Sequence, residues 1–446
     1  MADLNENNPG QSAEALAKAG YKKTKVGWIP EEWEEMKIAQ IATVGNGTTP
    51  SESNPEYWEN GSIAWLPTGK VNDRVIELSE TFITQKALDE TSLKVLPART
   101  ILLAMIGQGK TRGMVALTKI KATVNQNFSY IVPNIERVDH LYLFNRLSFD
   151  YYKLRGSGRG GGQESLNTRI VKNFKIPLPP LPEQRAIARI LSTWDAAIDK
   201  LGQLIAKKQA LKKGLMQQLL SGRVRFPEFV PPGGTRYKET KVGVVPEDWE
   251  VVKAGEIFER VSKKGQSGEL LAVTQEEGVI PRSHLERRVV MPSGSTEGYK
   301  LVEPGNFIIS LRSFQGGLEY SAYRGLVSPA YNIITYNPNS VSSTFFRYYF
   351  KSYCFIERLS SAVIGIRDGK QISYPDFKRQ LIPLPGYKEQ KAIGAFLEKA
   401  DQEIKNLENQ RVNLETQKKG LMQQLLTGAV RVKEGIANES FIDENS

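Results

Sequence analysis
One stretch of the chain approaches the pattern of a phosphate-binding loop, Ala104-Met-Ile-Gly-Gln-Gly-Lys110-Thr111, with alanine in place of the first glycine. A working phosphate loop opens a helix, because the unpaired amides of the first helical turn cradle the phosphates. Here Arg112-Gly113-Met114-Val115-Ala116-Leu117 follows, which reads as a strand and a hairpin return, so nucleotide binding is not expected of this loop. His140 and His284 are the only histidines, which leaves zinc sites and a histidine triad poorly supplied. The chain has no Asp/Asn-Pro-Pro-Tyr/Phe motif of an amino-methyltransferase and no glycine fingerprint after a strand. The acidic run Glu31-Glu32-Trp33-Glu34-Glu35 sits in a repeated frame, where a structural role explains it better than metal binding. The residue inventory therefore argues for binding without chemistry: no catalytic residue, no metal and no cofactor.

What the inventory supplies instead is cations and amides. Sixty Lys+Arg stand against 49 Asp+Glu, a net charge of +11, which favours a polyanionic partner. Arg, Lys, Asn and Gln carry donors and acceptors that match phosphates and base edges. They crowd loops together with hydroxyls and aromatics: Thr48 and Thr49, Tyr57, Lys70, Asn72, Arg74, then Gln108, Lys110 and Arg112. The loop Arg155-Gly-Ser-Gly-Arg159-Gly-Gly-Gly-Gln163 combines glycines that permit close backbone approach with two arginines. A second region offers Lys263, Lys264, Arg282, Arg287, Arg312 and Gln315, and Arg367 and Lys370 lie in a loop placed like the glycine loop. Each of these residues is a candidate DNA contact. For any single one, a solvated surface role stands as the alternative.

The elements that must position these loops are repeated. Tyr21 to Glu34 reads YKKTKVGWIPEEWE and Tyr237 to Glu250 reads YKETKVGVVPEDWE, ten identities in fourteen at an offset of 216. Lys212 to Arg225 and Lys418 to Arg431 match at twelve of fourteen positions at an offset of 206. Ile176-Pro-Leu-Pro179 and Ile382-Pro-Leu-Pro385 share that second offset, as do Glu183-Gln184 and Glu389-Gln390. The centres, 40–165 and 256–370, share almost no obvious sequence. Like frames around unlike centres suggest one scaffold presenting two recognition surfaces.

After each Pro-rich hinge the apolar residues recur at steps of four and three. The series are Ile187, Leu191, Trp194, Ile198, Leu201, Ile205, Leu215 and Leu219, and Ile393, Leu397, Ala400, Ile404, Leu407, Leu414, Leu421 and Leu425. That period predicts two long helices with coiled-coil seams, pairing antiparallel if the repeats are related by a pseudo-two-fold axis. Lys208, Lys212, Arg411 and Lys418 interrupt the seams, and such positions fix register or face another chain. The first centre predicts strands at 62–66, 100–106, 114–118 and 128–132 and helix near 141–154, a mixed α/β (α+β) domain. The division expected is a disordered leader at 1–20, a domain at 21–182, a helix and connector at 183–235, a second domain at 236–386, a second helix at 387–428 and a tail at 429–446. No stretch is long and apolar enough to span a membrane, and Cys354 is the only cysteine, so the cytoplasm is the expected compartment.

With these residues on the page, the chain resembles the specificity subunits of type I restriction–modification systems over roughly residues 21–430. The resemblance rests on the duplicated Gly27-Trp-Ile-Pro-Glu-Glu-Trp33 and Gly243-Val-Val-Pro-Glu-Asp-Trp249, the Pro-Leu-Pro…Glu-Gln hinges, and the helix ending Lys-Lys-Gly-Leu-Met-Gln-Gln-Leu-Leu. Gly47-Thr-Thr-Pro50, Tyr57-Trp58, Ile63-Ala-Trp65 and Asn125-Gln126 add to it in the first centre, whereas the second matches only in outline. The resemblance implies two target-recognition domains joined by an antiparallel coiled coil, each reading one half of a split, asymmetric double-stranded DNA target. Helix length would set the unread gap. It further implies methylation subunits, usually two, that carry S-adenosylmethionine, and translocating restriction subunits that use ATP. A DNA methyltransferase or nuclease with an unrecognised site, and an adaptor whose centres bind proteins, are the rival readings.

Overall fold
The computed structural model of the chain describes residues 20–107, 109–158, 165–264, 267–275, 277–285, 298–309, 317–361 and 373–432. They fall into two compact units, one drawn from Met1–Lys200 with Arg411–Ser446, the other from Leu201–Gln410. Apart from Gly20, the leader expected at 1–20 lies outside the described residues, as does the tail beyond Val432.

In the first unit the repeated opening is a hairpin, Tyr21–Thr24 against Gly27–Pro30. The next strand, Glu34–Lys37, stays out of the central sheet and pairs antiparallel with Lys175–Leu178 of the hinge. The chain therefore enters and leaves its first centre side by side. Between these ends five strands run in the order Ala42–Asn46, Phe128–Pro133, Ile101–Ala104, Val115–Thr118, Val75–Ile76, antiparallel except for the last pair. Side chains alternate between faces along a strand. Ile101, Leu103, Val115, Leu117 and Ile131 pack into one core, and Leu102, Ala104, Ala116, Phe128 and Tyr130 into another. Burial on both faces is why these strands read as unbroken apolar runs. The helix predicted near 141–154 comes in two pieces, His140–Phe149 and Tyr151–Gly156. The first starts at Asp139, whose carboxylate accepts the Leu141 and Tyr142 amides at 2.9 Å. The break falls at Asp150, whose buried carboxylate takes Arg146 Nε and Nη2 at 2.6 Å each.

The second unit opens alike, with Tyr237–Thr240 against Gly243–Pro246 and Glu250–Lys253 against Leu381–Leu384. Its sheet runs Phe258–Val261, Asn332–Tyr336, Phe307–Ile309, Glu319–Tyr320, antiparallel throughout. The first three strands repeat the order and sense of Ala42–Asn46, Phe128–Pro133 and Ile101–Ala104. One backbone plan thus underlies two unrelated sequences, with Phe258 meeting Phe346 and Phe350 at ring-centroid distances of 5.0 and 5.3 Å.

Each hinge leads into a helix of 40 residues, Leu181–Leu220 and Tyr387–Leu426. The seam residues Ile187, Leu191, Ile198, Ile205 and Leu219 are buried, as are Ile393, Leu397, Ile404 and Leu425. In the first unit Lys418 Nζ bonds Asp195 at 2.5 Å. In the second Lys212 bonds Asp401, Lys208 bonds Glu403 at 2.7 Å and Gln209 bonds Glu408 at 3.0 Å. Early positions of one helix meet late positions of the other, so the pairing is antiparallel. Three of the seam interruptions are thereby cross-helix ion pairs, while Arg411 bonds Glu415 one turn along its own helix. Asp195–Lys418 and Asp401–Lys212 are the same pair, 206 residues apart.

Candidate nucleic-acid interface
The frames are fastened by a repeated carboxylate. Glu183 Oε2 accepts Trp33 Nε1 at 3.0 Å, and Arg431 donates Nε to Oε1 at 2.8 Å and Nη2 to Oε2 at 2.9 Å. Glu389 repeats this with Trp249 Nε1 at 3.0 Å and Arg225 Nε and Nη2 at 2.8 Å each. Each arginine reaches a second acid of its frame, Glu32 from Arg431 and Asp248 from Arg225. These bonds raise both guanidinium pKa values above the ordinary arginine range. The neighbouring glutamines work on the backbone. Gln184 accepts the Asp139 amide at 2.9 Å and donates to the Pro179 carbonyl at 2.8 Å; Gln390 does the same to Ser342 and Pro385 at the same distances. Gly428, at φ 77°, closes the latch, because a Cβ there would sit 2.6 Å from the Pro30 ring; Gly222, at φ 70°, stands equally close to Pro246. Each frame is therefore completed by the end of the long helix from the other repeat.

On this support the predicted contact residues divide into three groups. Several are occupied in building loops. Thr48 Oγ1 meets Ser92 Oγ at 2.8 Å, Thr49 bonds Gln126, and Tyr57 donates to Glu90 at 2.9 Å. Lys70 is held by Asp73 and Glu80 at 3.0 and 3.1 Å, which raises its pKa, and Arg112 is buried. Others lie open. Lys263 and Lys264 are exposed on the second unit, and Arg282 is half-buried in the single turn Arg282–His284. Gln108, Arg159, Gln163, Arg287, Arg312, Gln315, Arg367 and Lys370 lie outside the described residues.

The third group converges. Asn72, Arg74, Lys110 and Arg155 line one cavity of about 1000 Å³ in the first unit. The phosphate-loop-like segment contributes Lys110 but opens no helix, since Ile101–Ala104 and Val115–Thr118 are antiparallel neighbours. Arg74 holds the left-handed φ of 59°, lies 5.6 Å over the Phe144 ring and pairs with Asp195 at 3.5 Å. Arg155 donates to the Arg112 carbonyl at 3.2 Å, and Tyr151 to the Lys110 carbonyl at 2.7 Å. The sequence pointed to the cations but missed Tyr151 and Tyr152, whose rings meet at 5.0 Å. It also missed the latch residues Trp33, Glu183 and Arg431, although their occurrence at repeat-equivalent positions was a usable signal.

A duplicated α/β scaffold, latched to paired helices and bearing basic loops, defines a two-headed binding protein rather than an enzyme cleft. The model for the type I restriction modification DNA specificity domain matches residues 30–209 and 246–415, and the chain belongs to that family. It is 28% identical over 425 residues to the type I restriction enzyme MjaVIII specificity subunit of Methanocaldococcus jannaschii, covering 91% of this chain and 94% of that one. It is 29% identical over 196 residues to the EcoR124I/EcoR124II specificity subunit of Escherichia coli, covering 43% of this chain and 48% of that one. The crystal structure of a type I restriction-modification S subunit from M. genitalium has the same fold, with TM-score 0.53 and 16% identity over 88% of this chain and 96% of that one. No helix is long and apolar enough to cross a membrane.

Proposed function
We propose that the chain is the DNA-reading subunit of a type I restriction–modification assembly, each unit recognising one half of a split, asymmetric target. The carrying observation is the contrast within the repeat. The latches agree atom for atom, while the centres share a strand order and little else. A scaffold that keeps its fastening and varies its centre is built to present different surfaces to one kind of partner. The excess of cations makes that partner DNA. The repeated frames dock methylation subunits, with restriction subunits joining them, in the cytoplasm. Base readout comes from the exposed and convergent loop residues, Asn72, Arg74, Lys110 and Arg155 in the first unit and Lys263, Lys264 and Arg282 in the second. The chain itself transfers no methyl group.

Selection of bound duplexes from random DNA, using the full chain with its methylation subunits, tests the reading. Two unlike specified blocks separated by a fixed unspecified gap are expected. Recovery of no sequence preference would favour an adaptor whose centres bind protein. Methyl transfer from labelled S-adenosylmethionine by the purified chain alone would favour an enzyme.

A further inference from the structure
We propose that the cavity of the first unit is a binding site for one nucleoside phosphate. Its lining carries three cations, Arg74, Lys110 and Arg155, and not one carboxylate. Such a rim selects an anion. Its floor is apolar, with Val71, Met114, Val115 and Met422, which a free inorganic anion would leave unsatisfied. Between rim and floor stand two tyrosines meeting at 71°, one of which, Tyr152, is 82% exposed. An aromatic ring left open to solvent beside cations is a stacking platform, and nucleobases stack on such rings whatever their identity. Gly109 and Gly113 let backbone approach the ligand without side-chain obstruction. The volume of about 1000 Å³ exceeds what a base edge needs and suits a whole nucleotide with its water.

The same chemistry can come from two sources, a nucleotide drawn out of a DNA strand or a free mononucleotide. Only the first rests on the DNA reading above. The full chain is titrated with deoxyadenosine and thymidine 5′-monophosphates, with inorganic phosphate, and with its selected duplex carrying or lacking one unpaired nucleotide at successive positions. The variants are Tyr152→Ala and Lys110→Ala, both at exposed positions, where truncation spares the fold. In at least one arm Tyr152→Ala is expected to weaken binding about five- to a hundredfold, the range for one base on one ring. Lys110→Ala is expected to weaken the same arm and reduce its salt dependence. Mononucleotide binding without DNA identifies the free source; a preference for the unpaired nucleotide that Tyr152→Ala abolishes identifies the strand. Inorganic phosphate competing as well as the mononucleotides, with Tyr152→Ala silent, would overturn the proposal. Sequence-selective DNA binding indifferent to both variants would also overturn it while leaving the DNA reading intact. Mononucleotide binding that depends on Tyr152, in a chain that selects no DNA, would do the reverse.

Discussion

Removing Glu389 tests whether the latch is a structural joint or an incidental contact. The Arg225 and Glu389 side chains are 3% and 4% exposed, and the carboxylate accepts three donors, Trp249 Nε1 and two nitrogens of Arg225. Deleting one partner of so buried a pair costs about 3–5 kcal/mol, because the other charge stays behind in a poorly solvated place. The orphaned indole N–H contributes to the same penalty instead of adding to it, and Asp248 still holds part of the guanidinium. We expect Glu389→Ala to destabilise the second unit by about 4 kcal/mol, a shift of roughly 2 M in urea midpoint at about 2 kcal/mol per M. Arg225→Ala should cost nearly as much. The double variant should cost about 2–3 kcal/mol less than the sum, since no uncompensated charge remains. The equivalent change in the first unit, Glu183→Ala, should cost less, because Arg431 is 36% exposed and can be hydrated. Trp249 is the only tryptophan between residues 201 and 410, so fluorotryptophan labelling and ¹⁹F NMR in urea follow each unit separately. Full additivity of Glu389→Ala and Arg225→Ala, or a Trp249 transition unmoved by Glu389→Ala, would refute the reasoning.

Other outcomes follow from the same geometry. A fragment of residues 1–235 should dimerise, with the partner's Arg225 taking the Arg431 position at Glu183, and should select inverted repeats of one half-site; light scattering should find monomers for its Arg225→Ala form, and recovery of the asymmetric target would contradict the model. Lys263→Ala with Lys264→Ala should weaken DNA binding and reduce the log–log salt slope by about 0.9 per lost phosphate contact, and an unchanged slope would remove both from the DNA. Burial raises the pKa of Glu319 despite its bond to Lys351, so the folded state favours the protonated acid. That stabilising contribution is full below the unfolded carboxylate pKa and is lost as pH rises through the raised folded value. Urea midpoints of the second unit should therefore fall with rising pH more steeply for the parent than for Glu319→Gln.

The sequence disclosed periodicity well and partnership poorly. The seams from Ile187 and from Ile393 were legible because a helix writes its buried face at a fixed spacing. Lys212 and Lys418 stood out as interruptions, but Asp401 and Asp195 could be named only once the antiparallel register was known. Trp33, Glu183 and Arg431 are far apart in the chain, so no local pattern joins them. Strands of the second centre are short and separated by long connections, and its aromatic core hides their kinship with the aliphatic strands of the first. Arg112 looked like a surface cation in a glycine-rich loop, yet the fold buries it. Arg74 gave no sign of its left-handed backbone or of the aspartate beneath it.

The strand pair that closes each centre bears on inheritance. Since Glu34–Lys37 lies against Lys175–Leu178, everything between them is a cassette whose ends meet. Recombination in the flanking gene segments can replace that cassette with an unrelated one and leave Trp33, Glu183 and Arg431 untouched. The near-identical segments at 212–225 and 418–431 supply matching DNA for such crossovers within a single gene. A crossover between those segments can delete one reader altogether. The shortened product would still carry an arginine at the end of its helix, able to latch the frame of a sister molecule. A lineage bearing this gene can therefore change or halve its repertoire in one genetic event without passing through an unfolded intermediate.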